Sequence, residues 1–156
     1  LLVLSDSHKK SGVLDRIIRK EQTAKNIFFL GDVTEDIENL KFEYTDRNFY
    51  IVSGNCDYFS SYKTFDFITL NNKKILYTHG HHFGVKSGNY GALLKFAKEN
   101  GCQIALYGHT HIAGIIYEDG VYLVNPGSVS LSREGPVSYA VIDILENGIL
   151  PQIIKI

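Results

Sequence analysis

The chain is a succession of short apolar runs, each cut off abruptly at Gly, Asp, Asn or His. Residues 1–4 run into Ser5-Asp6-Ser7-His8, residues 26–30 into Gly31-Asp32, and residues 49–53 into Gly54-Asn55-Cys56-Asp57. Farther on, 74–77 leads to Thr78-His79-Gly80-His81, 104–107 to Gly108-His109-Thr110-His111, and 121–124 to Asn125-Pro126-Gly127-Ser128. Continuous apolar runs this short, bounded by turn formers, read as strands buried on both faces. Helical spacing lies between some of them. Residues 11–22 gather Leu14, Ile17 and Ile18 on one face, with Ser11 as the expected N-cap. Residues 89–100 gather Leu93, Leu94 and Ala97, and Gly101 suits a left-handed C-terminal cap. A helical turn is expected over 35–40. The stretches 62–76 and 139–156 read as antiparallel strands turning at Asn71-Asn72 and Asn147-Gly148. The pattern is α/β, alternating in the first half and richer in β in the second.

A chain of 156 residues, 44% hydrophobic, can bury a core of its own. It is too short for a (β/α)₈ barrel, which takes roughly 200 residues or more. No linker, repeat or low-complexity segment interrupts it, so one domain over 1–156 is expected. The formal net charge of −1 comes from scattered acids and bases, which argues against a bulk nucleic-acid-binding surface. No apolar run approaches the roughly 18 residues of a membrane span. The opening apolar segment is too short for a signal peptide. Two cysteines, Cys56 and Cys102, make no disulfide framework and fit a reducing, cytoplasmic setting.

In open α/β sheets, sites form where strands end at their carboxyl side. Every polar loop named above lies at such an end. Together the loops offer Asp6, His8, Asp32, Asn55, His79, His109 and His111. A zinc-type site takes about four ligands. Seven candidates are too many for one ion and suit two, with one carboxylate shared. Paired ions about 3.5–4 Å apart clamp the attacking and departing oxygens of a displacement at phosphorus. Nitrogen and oxygen donors without thiolate point to Mn, Fe, Co, Ni or Zn rather than to an all-oxygen calcium or magnesium cage.

Five of the blocks, Asp6-Ser7-His8, Gly31-Asp32, Gly54-Asn55-Cys56-Asp57, His79-Gly80-His81 and Gly108-His109-Thr110-His111, resemble in order the signature of the calcineurin-like metallophosphoesterases. Cys56 and the Asn125–Ser128 block look like the small single-domain phosphodiesterase branch. The resemblance implies a four-layer α/β/β/α fold, a central β-sandwich flanked by helices. It also implies a metal-dependent phosphodiesterase acting on a small phosphodiester. Two divalent ions are implied, Mn²⁺ first and otherwise Ni²⁺, Co²⁺, Fe²⁺ or Zn²⁺. By the same resemblance, Asp6, His8 and His111 hold one ion, Asn55, His79 and His109 the other, and Asp32 bridges them. A hydroxide shared by the ions then attacks phosphorus.

The chain departs from many relatives at Cys56, where a histidine follows the asparagine. A thiol donates a proton less readily than imidazolium at neutral pH. Slower chemistry or substrates with good leaving groups are therefore expected. Asn55, Cys56 and His81 are the candidates for contact with the reacting phosphate, His81 alternatively supporting His79. Asp57 is a candidate for orienting a ligand or a water. Ser128 or Arg133 could meet substrate, or Asn125–Ser128 could be only a turn. His82 reads as a surface residue and Cys102 as a core one. The competing reading is a non-catalytic scaffold or binding protein of the same fold, as the retromer scaffold subunit is. Assembly of identical copies is compatible with either.

Overall fold

The computed structural model describes all residues, Leu1–Ile156. Strands β1 (Leu2–Leu4), β2 (Asn26–Phe29) and β3 (Asn48–Ile51) lie parallel, joined by α1 (Ser11–Lys20) and α2 (Glu35–Glu43). Two strands from the chain's end, β9 (Ser138–Leu145) and β10 (Gly148–Lys155), complete this sheet in the order β10-β9-β1-β2-β3. The second sheet uses β4 (Phe65–Leu70), β5 (Lys73–Thr78), β6 (Ile104–Leu106), β7 (Gly114–Glu118) and β8 (Val121–Asn125), ordered β4-β5-β6-β8-β7. Its central strands β5, β6 and β8 are again parallel. Helix α3 (Gly91–Glu99) packs over β6 and β8.

Alternation along the strands sorts the core into layers. Leu2, Leu4, Ile27 and Phe29 face α1 and α2, meeting Leu14, Ile17, Ile18, Ile37 and Leu40. Their neighbours Val3 and Phe28 turn the other way and meet Ile75, Tyr77, Ile104 and Leu106 between the sheets. Leu76, Ala105 and Leu123 face Leu93, Leu94 and Ala97 of α3. Helices, sheet, sheet and helix thus form the four layers expected of an α/β sandwich. No helix is long and apolar enough to cross a membrane.

The local differences from expectation have physical causes. Lys10, not Ser11, occupies the cap of α1, and no side chain caps the helix. The chain reaches this helix through left-handed His8 and Lys9, and Lys10 N–H donates to the Ser7 carbonyl, so the turn itself sets the helix start. The turn expected over 35–40 extends to a full helix because Ile37 and Leu40 are both buried. The final hairpin pairs Leu145 with Gly148, placing its turn at Glu146-Asn147, one residue earlier than expected. Gly101 does adopt the left-handed conformation beyond α3, and Asn71-Asn72 both have positive φ in the β4–β5 turn.

Candidate metal centre

The two sheets bring their parallel strands to the same edge of the sandwich. The loops after β1, β2 and β3 carry Asp6, His8, Asp32 and Asn55, and those after β5 and β6 carry His79, His109 and His111. Asp6, His8, Asp32 and His111 form one cluster, their ligand atoms all within 4.8 Å of one another. His111 Nε2 lies 3.1 Å from Asp6 Oδ1 and 3.3 Å from His8 Nε2. The remaining candidates gather on the other side of Asp32. His79 Nε2 is 3.5 Å from Asp32 Oδ1 and 3.1 Å from Asn55 Oδ1, and the His109 ring centroid is 5.0 Å from that of His79. Asp32 therefore turns one oxygen to each group, since its Oδ2 lies 4.0 Å from His8 Nε2.

Backbone partners aim these rings. His79 Nδ1 donates to the Leu30 carbonyl at 2.7 Å, and His111 Nδ1 to the Leu131 carbonyl at 2.6 Å. Each bond commits Nδ1 as the protonated nitrogen and leaves an Nε2 lone pair facing the cluster. Asp6 is fully buried, and its Oδ2 accepts from Ser5 Oγ at 2.5 Å and His109 N–H at 3.2 Å. Its Oδ1 has no hydrogen-bond partner, and His111 Nε2 faces it at 3.1 Å. A buried oxygen left bare is costly. Burial alone pushes the Asp6 carboxyl up, but His111, His79 and Ser5 more than reverse this and bring it below its ordinary value. The same carboxylate raises His111 above the usual histidine range, against the opposing effect of burial. A proton and a cation thus compete for the same place between Asp6 Oδ1 and His111 Nε2. The donor set, the bare Oδ1 and the committed Nδ1 atoms fit a divalent transition metal.

Holding this geometry strains the backbone. Asp6, His8, Asp32, His109 and His111 all have positive φ, between 44° and 67°, and β-branched Val33 reaches 76°. Side-chain-bearing residues rarely occupy this region, at a cost of about 1–3 kcal/mol each. Asp57 supplies much of the counterforce. Its Oδ2 accepts the N–H groups of Asp32 (2.9 Å) and Gly54 (2.7 Å), and its Oδ1 those of Val33 (2.9 Å) and Thr34 (2.8 Å). The carboxylate considered for a ligand or water instead pins the Asp32 loop. Close packing leaves no alternative path there. A Cβ on Gly54 would lie 2.1 Å from Asp32 Oδ1, and one on Gly108 2.1 Å from Ser5 Oγ.

Asn125–Ser128 does similar work below the histidines. Asn125 Nδ2 donates to the Gly108 carbonyl and to Thr110 Oγ1. Ser128 is buried and donates its hydroxyl to the Asp6 carbonyl at 2.8 Å, which corrects its suggested contact with substrate. Arg133 is exposed, close enough to lower the His111 proton affinity slightly, and its N–H donates to the His111 carbonyl. Cys56 is exposed, with Sγ 3.5 Å from Asn55 Nδ2. Partial burial and the carboxylates of Asp32, Asp57 and Asp6 push its thiol up to about 11, so it stays protonated at neutral pH. His81 stands 5.4 Å from His79 and 6.2 Å from His109 between ring centroids, its Nδ1 buried without a partner. Burial, then the neighbouring histidines, push it down to about 4. His82 is exposed, as expected of a surface residue.

The model of the calcineurin-like phosphoesterase superfamily domain matches residues 1–147. The chain belongs to this superfamily. The probable metallophosphoesterase YsnB of Bacillus subtilis is 32% identical over 149 residues, covering 94% of this chain and 85% of YsnB. The phosphodiesterase YfcE of Escherichia coli is 33% identical over 101 residues, covering 59% of this chain and 50% of YfcE. Vps29 of Entamoeba histolytica shares the fold, with a TM-score of 0.76 at 19% identity and coverage of 99% of this chain and 98% of that one. As a superfamily member the chain is a hydrolase of the phosphoesterase class, with a cluster suited to a divalent metal.

Proposed function

We propose that this single domain is a metal-dependent phosphodiesterase with a dinuclear centre, Mn²⁺ the first candidate. The observation that carries the reading is Asp32, whose two oxygens face different histidine groups, Oδ2 toward His8 and Oδ1 toward His79. In this reading Asp6, His8 and His111 hold one ion, Asn55, His79 and His109 the other, and Asp32 serves both. When bound, the ions act as Lewis acids toward the phosphoryl oxygens and lower the pKa of water to roughly 7, making hydroxide available near neutral pH.

The chain's own groups then position the substrate. Asn55 offers Oδ1 to the metal side, and its Nδ2, now spent on a long 3.5 Å contact with Cys56 Sγ, is free to donate to a phosphate oxygen. His81 stands beside His79 and His109, and Cys56 beside Asn55. The neutral His81 ring can exchange one hydrogen bond with the phosphate. Cys56 keeps its proton but holds it too firmly to be an efficient acid, so the departing alcohol leaves with little help. Good leaving groups follow from that. The phosphodiesterase YfcE supports the diester as substrate class, and two free thiols suit a cytoplasmic protein.

The test compares hydrolysis of bis(p-nitrophenyl) phosphate and p-nitrophenyl phosphate with and without Mn²⁺. Diester hydrolysis that needs Mn²⁺ and falls at least a hundredfold in His109→Ala is the expected result. Equal rates with and without metal would defeat the reading. Likeness to Vps29 in fold favours a second reading, a binding protein that uses the same site without turnover. That reading expects two ions bound per chain by calorimetry and no hydrolysis of either ester.

A further inference from the structure

Beside the metal centre lies a cleft of about 280 Å³ that none of the seven candidate ligands lines. Its walls come from the two loops that carry Asp32 and Asn55: Val33 and Thr34 on one side, Cys56 and Asp57 on the other. Tyr58 and Phe59 form part of the rim, 85% and 102% exposed. Two neighbouring aromatic rings this bare, at the mouth of a site, present flat apolar faces that water covers poorly. The remaining rim is charged. Glu35 and Glu38 stand against Lys9 alone. The ion pairs of the molecule's lysines and arginines go to Asp15, Asp46, Asp66, Glu99 and Asp119, so none of these three is neutralised by a salt bridge. The Asp57 carboxylate, satisfied by backbone N–H groups, adds negative charge to its wall.

Resting on the phosphodiesterase reading, we propose that this cleft receives one ester group of the substrate and selects a flat, uncharged or cationic ring over an anionic one. The volume accepts a single ring system. Stacking on Tyr58 or Phe59 rewards an aromatic group of any hydrogen-bonding pattern. Ser61, exposed and without a side-chain hydrogen bond, offers a hydroxyl at the rim. Unpaired Glu35 and Glu38 repel a second phosphate or a carboxylate. The cleft thus favours simple aryl or nucleoside diesters over polyphosphates.

Three p-nitrophenyl diesters sharing one chromogenic leaving group, with methyl, phenyl or 4-carboxyphenyl as the second ester, separate these effects. Wild-type kcat/KM is expected to be about tenfold higher for phenyl than for 4-carboxyphenyl, the scale of one stacking or like-charge contact. The Glu35→Gln/Glu38→Gln double variant narrows that ratio at least threefold. Phe59→Ala and Tyr58→Ala, tested singly and together, lower the phenyl-to-methyl ratio at least threefold, mainly through KM. Ratios unchanged in both sets of variants overturn the proposal. If wild-type protein hydrolyses no diester, the phosphodiesterase reading fails, and calorimetry with phenylphosphonate and methylphosphonate still decides the cleft. Preference for phenylphosphonate that vanishes in the aromatic variants supports it. Equal binding of the two ligands overturns it.

Discussion

Asp57→Asn tests whether the strained metal-binding loop is held from outside the metal. The wild-type carboxylate accepts four backbone N–H groups at 2.7–2.9 Å. An asparagine has one acceptor oxygen, so whichever way its amide turns, its NH₂ faces two donors. Each lost bond to a charged acceptor is worth about 1.5–3 kcal/mol, less whatever water recovers at this half-buried position. A net loss of about 3 kcal/mol follows. For a chain of this size that lowers Tm by about 6–12 °C. Asp32 and Val33 then relax from φ values of 62° and 76°, turning the Asp32 oxygens away from one histidine group. Loss of such a supporting contact weakens metal binding about 10–100-fold. Differential scanning calorimetry measures the first effect, and Mn²⁺ titration at 25 °C, where the variant remains folded, measures the second. A variant that melts within about 2 °C of wild type, a difference under about 1 kcal/mol, and binds Mn²⁺ unchanged would refute the argument.

Other expectations follow from the same geometry. Gly54→Ala places a Cβ 2.1 Å from Asp32 Oδ1, so far-ultraviolet circular dichroism should show folded protein whose Mn²⁺ affinity has dropped at least tenfold. Saturating Mn²⁺ at about a hundred times its Kd stabilises by about 2.7 kcal/mol, raising Tm by about 5–11 °C, and a chelator should reverse the shift. Asp15 is held below its ordinary value first by the Tyr44 hydroxyl and then by Arg19, so its contribution is present above the unfolded-state pKa near 4. That contribution is lost as pH falls through the lower folded value, and urea unfolding of Asp15→Asn should show a shallower loss of stability below pH 4. Phe28→Ala between the sheets should cost about 3–5 kcal/mol, read from the denaturant midpoint.

What the sequence disclosed depended on whether a property belongs to side chains in order or to backbone in space. The parallel strands were legible because runs such as Ile27-Phe28-Phe29 are buried on both faces and end at once in polar residues. The seven candidate ligands were legible for the same reason, as costly side chains repeated at strand ends. Strand β7 escaped notice. It is an edge strand whose Ile115 and Tyr117 are exposed, so no buried run marks it. Positive φ at Asp6 or His109 is only faintly marked by residue type, since Asp and His enter that region more often than most side chains but still seldom. The work of Asp57 and Ser128 was equally hidden. Both act on the main chain of residues far away in sequence, where the partner's identity carries no signal.

The division of the centre between the sheets has a mechanical consequence. Asp6, His8, Asp32 and Asn55 ride on one sheet and His79, His109 and His111 on the other. The apolar layer containing Phe28, Tyr77 and Leu106 fixes the offset between those two rafts, helped at the site by bonds such as His79 to the Leu30 carbonyl. Under the proposed dinuclear reading, a slip of a few tenths of an ångström along that layer would unbalance both coordination spheres at once, well before any strand came apart. Metal affinity is therefore a gauge of how tightly the interior is packed. A bound ion in turn rivets the sheets at their open edge, adding to the hydrogen bonds from His79, His109 and Ser128 that already cross there.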